Sequence, residues 1–191
     1  MPAKNLHRVA DGGTSCHVYN KGIENRNIFV EEADYQVFIN YLQDYLCAPK
    51  APENTTTEFT VKGRTYKGVP HQPKNYLNKV ELIAYSLKPD HFHLVLHQKT
   101  QKSLQAFMRS LCTRYSIYFN KKYNRTGSLF EGPYKSVQVK DNQRLLLLTG
   151  YLHNEDGGYS SKNEFRGQRE TSWVKSKLVQ SNQNNGVYDE K

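Results

Sequence analysis

The sequence predicts an α+β domain of ferredoxin-like or RRM-like form: an antiparallel sheet with helices on one face and a central strand that carries two histidines. Three observations lead there. Residues 80–86 and 90–97 are β-rich runs joined by a turn around Lys88-Pro89-Asp90. Three other stretches place apolar residues at three- and four-residue steps, the spacing of a helix packed on a core. Finally, the elements follow the order strand, helix, strand, strand, helix, strand, helix, and the 191 residues suffice for one ordinary core.

Along the chain, Ser15 to Gly22 forms a first strand, expected to lie centrally and closed by the turn signal Asn20-Lys21-Gly22. Glu31, Glu32 and Asp34 suit a helix N-terminus, and Val37, Phe38, Tyr41, Leu42 and Tyr45 give that helix its apolar face. Residues 48–78 carry Pro49, Pro52, Pro70 and Pro73 and three consecutive threonines, which predicts an insertion with room for a small hairpin over 59–69. After the paired strands, Ser103 is expected to cap a helix whose stripe is Leu104, Phe107, Met108, Leu111, Tyr115 and Tyr118. Gly127 and Gly132 bracket a loop before an extended 134–139. Asp141 then caps a last helix through Leu145, Leu148, Tyr151, Leu152 and Glu155, which stops at Gly157-Gly158. The polar remainder keeps Trp173 and Val174 as docking residues and is expected to fray from about Ser181. The sheet face away from the helices is expected to be open.

Composition narrows the function. The formal charge is +9 and the isoelectric point about 9.4, a balance that favours a polyanionic partner. Between residues 101 and 140 eight cations, Lys102, Arg109, Arg114, Lys121, Lys122, Arg125, Lys135 and Lys140, face Glu131 alone. Phe107, Tyr115, Tyr118, Phe119, Tyr123, Phe130 and Tyr134 are interleaved with them, the mixture that tracks phosphates while stacking on unpaired bases, although about half of these aromatics belong to the core at helical spacing. The DNA-contacting candidates are Arg109, Arg114, Tyr118, Lys121, Lys122, Arg125 and Lys135. Cys16, Cys47 and Cys112 are odd in number and widely spaced, which predicts reduced thiols and a cytoplasmic protein. No signal-peptide core precedes residue 12, and the longest apolar run, 145–148, is far too short to span a bilayer, so no membrane role is expected.

Chemistry concentrates in His91-Phe92-His93. On a strand the two imidazoles project together while Phe92, Leu94 and Leu96 enter the core, which presents half of a metal site on a rigid element. A third ligand is needed. On an ideal strand Asp90 points away from His91, and His97 lies about 13 Å beyond His93. Glu155 follows Tyr151 by four residues, so a carboxylate and a phenol share one helical face. A phenol with a pKa of about 10 needs help to act as a nucleophile, and a divalent ion gripping a phosphodiester oxygen provides it. Most of the fourteen tyrosines must be structural; Tyr115 and Tyr118 have Phe119 and Lys122 one turn on, which are no metal ligands, so Tyr151 is the candidate nucleophile.

At this point the chain resembles the single-tyrosine HUH transposases, in particular the REP-associated tyrosine transposases and their insertion-sequence relatives. The resemblance runs from about His17 to Glu155 through CHVYNKG, NIFVEEADYQVFINYL, AYSLKPDHFHLVLH, MRSLCTRYSIYFNKKYNRTGSLFEGPYKS and GYLHNE. It implies that His91 and His93 are metal ligands, that Tyr151 is the nucleophile, and that Glu155 stands where relatives place a polar ligand, with Asn154 as the alternative. It implies a metal-dependent endonuclease and strand transferase, using Mg²⁺ or Mn²⁺, that cuts single-stranded DNA at hairpin-associated sites through a 5′-phosphotyrosine. Residues 1–156 would be the transposase domain, with 48–78 inserted, and 157–191 a polar, partly disordered extension. The chain departs from the pattern in three places: Glu155 stands where Asn or Gln is common, Pro133 replaces a usual arginine, and the Asn-Pro after the tyrosine helix is missing. Two other readings compete. One is a non-catalytic or domesticated module that binds DNA or RNA hairpins. The other is a zinc-stabilised protein using His91, His93 and His153. Monomer and homodimer are both open.

Overall fold

The computed structural model describes residues 12–49, 57–68, 74–154 and 159–180. Its elements are β1 (Thr14–Lys21), a 3-10 turn (Ile23–Asn25), α1 (Glu32–Leu46), β2 (Thr57–Val61), β3 (Arg64–Gly68), β4 (Val80–Leu87), β5 (His91–Gln98), α2 (Ser103–Lys122), β6 (Lys135–Val139), α3 (Asn142–Asn154), β7 (Tyr159–Ser160), α4 (Lys162–Phe165) and α5 (Lys177–Gln180). β1, β4, β5, β6 and β7 form an antiparallel sheet in the order β6-β1-β5-β4-β7, so the histidine strand β5 is central and β1 is interior. The α+β class holds. The hairpin expected inside the insertion is β2 and β3, a separate two-stranded sheet that turns at Lys62-Gly63 with φ of 49° and 75°, the left-handed pair a tight hairpin favours.

Alternation along the strands builds the main core. Cys16 and Val18 of β1 and Phe92, Leu94 and Leu96 of β5 are fully buried on one sheet face, against Phe38 and Leu42 of α1 and Phe107, Met108, Leu111 and Tyr115 of α2. The opposite face is not open along its whole length, which corrects the expectation from sequence. A β-bulge between Leu82 and Ala84 directs both Ile83 and Ala84 to that second face, where they join Val95 in an apolar patch. The Leu145, Leu148 and Leu152 stripe of α3 covers the patch, with Val179 of α5 beside it. Residues 159–180 belong to the same fold: β7 pairs with β4, Trp173 stacks on Tyr85 at 5.6 Å, and Val174 bridges to Leu82. The fraying expected from Ser181 and the stop at Gly157-Gly158 lie outside the described residues. No helix among the described residues is long and apolar enough to cross a membrane, and the three cysteines are free thiols.

The helix ends follow the local chemistry with one correction. Asp141 accepts the Arg144 N–H at 2.7 Å, as expected of an N-cap. Ser103 does not cap α2; its hydroxyl donates to the Thr100 and Lys79 carbonyls, and the side chain of Gln98 reaches from β5 to accept the Leu104 N–H at 3.0 Å. The α2 stripe ends on Phe119 rather than Tyr118, because the Tyr118 hydroxyl turns to Asp34.

Asp34 joins the two core-side helices. Its carboxylate is fully buried and accepts from the Val30 and Glu31 N–H groups at 2.9 and 3.2 Å, from the Tyr118 and Tyr123 hydroxyls at 2.9 and 2.7 Å, and from Lys122 at 2.7 Å. Lys122 also reaches Glu31. Burial alone would raise the carboxyl pKa, but these donors outweigh it and hold it below the ordinary aspartate value. A depressed pKa stabilises the fold above the unfolded value near 3.8, and that contribution is lost as pH falls through the folded pKa. Asp34→Ala is expected to cost about 3 kcal/mol at pH 7, because it strands Lys122 and two phenols. In urea titrations, the wild type should lose more stability than Asp34→Ala between pH 5 and pH 2.

Candidate functional site

β5 faces two ways. Phe92, Leu94 and Leu96 enter the core, so His91, His93 and Val95 project from the opposite side. The antiparallel register sets Lys21 opposite His91, Tyr19 opposite His93 and His17 opposite Val95, which brings three alternate β1 side chains to the histidine face. The rings form one cluster. His91 and His93 lie 5.1 Å apart edge-on, His93 stacks with His17 at 5.0 Å, and Tyr19 lies 5.7 Å from His93. His17 Nε2 and His93 Nδ1 are hydrogen-bonded at 2.8 Å. Burial lowers the pKa of His17 and favours its neutral form. The cleft beside them, of about 200 Å³, is lined by Tyr19, Asn20, Lys21, His91, His93, Glu131 and Lys135.

The turn before His91 is clamped from β1 and the segment that follows it. Gly22 N–H donates to the Asp90 carbonyl at 2.8 Å, and the Ile28 and Phe29 N–H groups both donate to Pro89. Gly22 is required for close approach: a Cβ there would sit 2.0 Å from the Arg26 carbonyl oxygen. This turn also corrects the reading of Asp90. Preceding the strand, it does not follow strand geometry, and its carboxylate reaches His91 Nδ1 at 2.7 Å.

Of the other candidate ligands, His97 is turned to Ser15 at 3.1 Å. His153 is buried, hydrogen-bonded through Nε2 to Ser161 Oγ at 2.9 Å and packed on Phe165, so the arrangement of His91, His93 and His153 is not formed. Burial and the neighbouring Lys162 and Arg166 lower its pKa, against a smaller opposing effect of Glu164. Among the described residues no group of three His, Cys, Asp or Glu side chains is disposed to hold an ion. Asn154 is exposed at the end of α3, and Glu155 lies outside the described residues. The donors present still fit a divalent ion in part: two imidazoles on one strand face, each tied through Nδ1 to Asp90 or His17, are oriented as ligands normally are.

Tyr151 stands on α3, 60% exposed, one residue before the buried Leu152 that packs on the histidine side of the sheet. Other tyrosines are committed to structure: Tyr115 is fully buried with its hydroxyl on the Ile28 carbonyl at 2.6 Å, and Tyr118 serves Asp34.

The basic candidates divide. Lys135 lines the histidine cleft, with its ammonium 5.9 Å from the Tyr19 ring. Lys122 is engaged with Asp34 and Glu31, Arg114 pairs with Asp44 at 2.9 Å over the Tyr41 ring, and Arg125 donates to Asn120. Arg109 and Lys121 are exposed on α2, the helix that packs on the core side. His17, Tyr19, Lys21, Asn20 and Glu131 were not singled out from sequence. The alternation His17-x-Tyr19-x-Lys21, the same period as His91-x-His93, could have signalled the first three, whereas nothing in the sequence marks Asn20 or Glu131.

Comparison with known proteins agrees with this architecture. Residues 66–155 match the family of IS200-like transposases. The fold matches a REP-associated tyrosine transposase solved bound to a REP hairpin, with a TM-score of 0.52 at 10% identity, covering 92% of this chain and 98% of that one. A candidate transposase from Deinococcus radiodurans R1 aligns with a TM-score of 0.43 at 16% identity over 77% of this chain and 94% of that one, too loosely to carry an argument. No curated protein sequence matches. At such identities the structural likeness is one of fold; the family match rests on the segment holding the histidine pair, α2 and Tyr151. Over residues 66–155 this chain is thus similar to the IS200-like transposases.

Proposed function

We propose that this protein is a transposase, a metal-dependent single-stranded DNA endonuclease and strand transferase with Tyr151 as nucleophile. The observation that carries the reading is that α3, which bears the exposed Tyr151, packs on the same sheet face from which His91 and His93 project. His91 and His93 would hold Mg²⁺ or Mn²⁺, with Glu155 or Asn154 as third ligand. Such an ion, when bound, polarises the scissile phosphate and offsets its developing charge. The Tyr151 oxygen attacks phosphorus, the bond from phosphorus to the 3′ oxygen breaks, and the phenol proton leaves as the departing oxygen gains one. The products are a 5′-phosphotyrosine and a free 3′-OH, and rejoining is the reverse. Lys21 and Lys135 set two ammonium groups on the cleft, with Glu131 3.4 Å from Lys21 offsetting part of that charge. Tyr19 offers a ring on which an unpaired base can stack. The fold likeness to a hairpin-bound transposase supports single-stranded DNA with hairpins as substrate.

On denaturing gels with labelled hairpin DNA and Mn²⁺, the wild type should give a covalent adduct that EDTA abolishes. Tyr151→Phe should lower adduct yield by about 10³-fold or more while keeping fold and DNA affinity, since one hydroxyl is removed from a side chain that is not part of the core. Hairpin binding without any adduct would instead favour a non-catalytic binding module.

The cations predict a second contrast. Lys135→Ala should weaken single-strand binding and flatten the slope of log K against log salt by about 0.7, with stability unchanged. Lys122→Ala should lower the unfolding midpoint, because it removes the cation paired with buried Asp34. Equal salt slopes for wild type and Lys135→Ala would take Lys135 out of the DNA path.

A further inference from the structure

We propose that His17 is a positioning residue that fixes the ring of His93 and directs its Nε2 to the ion, an inference that rests on the metal reading above. The two candidate ligands are held in parallel ways. Asp90 engages His91 at Nδ1 at 2.7 Å, and His17 engages His93 at Nδ1 at 2.8 Å. An imidazole whose Nδ1 is occupied by a hydrogen bond can offer only Nε2 to a metal, so both rings present the same nitrogen.

Proton placement follows from this geometry. For neutral His93 to coordinate through Nε2, its proton resides on Nδ1 and is donated to His17. The acceptor is His17 Nε2, so the His17 proton sits on Nδ1. No charge changes in this arrangement, and the pair fixes a tautomer rather than relaying a proton. His17 is suited to the task because it cannot drift. β1 is paired on both sides at this residue, with Val95 of β5 and Val137 of β6, and its ring lies 5.1 Å from Tyr19. Its Nε2 is spent on His93, which separates it from a ligand bound directly to the ion.

The test compares wild type, His17→Phe, His17→Gln and the double variant His91→Ala, His93→Ala, without DNA. One readout is Mn²⁺ affinity from the free-ion electron paramagnetic resonance signal, and the other is the His93 tautomer from ring ¹⁵N shifts in the metal-free protein. His17→Phe should weaken Mn²⁺ binding about 10- to 100-fold. His17→Gln, whose amide oxygen can stand where Nε2 stood, should stay within about threefold of wild type. The wild-type His93 ring should carry its proton on Nδ1, and the shifts should change in His17→Phe. If wild type and His17→Phe bind Mn²⁺ equally while the double variant does not, the positioning role is overturned and the metal reading stands. If wild type binds no better than the double variant, the metal reading fails, and His17 with it. The tautomer needs no variant that must fold: a wild-type His93 protonated on Nε2 overturns the inference by itself.

Discussion

The pairing register between β1 and β5 is the constraint on which the site depends. Cys16, Val18, Phe92, Leu94 and Leu96 are fully buried, and burying each large apolar side chain contributes about 1.5–3 kcal/mol. A slip of one residue in β5 would turn Phe92, Leu94 and Leu96 to the other face and drive His91 and His93 into the core. The free energy that holds the sheet together therefore also selects the histidine face. The same pairing brings His17, Tyr19 and Lys21 beside the pair, although some seventy residues separate the two strands in sequence.

The two sheet faces divide the labour. The core face carries α1 and α2, tied at their ends by the Asp34 carboxylate and its five donors. Much of the basic character of α2 is spent there: Lys122 neutralises a buried acid and Arg114 pairs across to α1. On the second face the bulge adds Ile83 and Ala84 beside Val95, and α3 docks there. The histidine end of that face keeps a cleft of about 200 Å³ that Lys21 and Lys135 help to line. Positive charge left on the cleft and positive charge spent on the fold are thus distinguishable by position, though not by sequence.

What could be read from the sequence was what period and local chemistry encode. Alternation in 91–96 announced the paired histidines and buried Phe92, and the three-to-four spacing announced α2 and α3. The acidic turn at Glu31 to Asp34 marked the start of α1. Other features arise only from contacts between distant segments. His17 meets His93 because two strands pair with a particular register, which neither strand reveals alone. Asp90 reaches His91 because the preceding turn, clamped by Gly22 and Ile28, departs from strand geometry. α3 covers the second face because one extra residue in β4 creates a patch for it, and Ser103 loses its capping role to Gln98 because β5 ends beside the α2 N-terminus.

The central claim is that this register makes His91 and His93 one half of a metal centre next to the tyrosine helix. Anomalous diffraction at the manganese edge, from crystals of Tyr151→Phe grown with Mn²⁺ and a single-stranded hairpin DNA, tests it most directly. The account predicts one strong peak at about 2.0–2.3 Å from Nε2 of both histidines, with a phosphate oxygen and residue 151 beside it. A peak bound elsewhere, or hairpin DNA seated on the α1 and α2 side with no metal at the histidine pair, would contradict it.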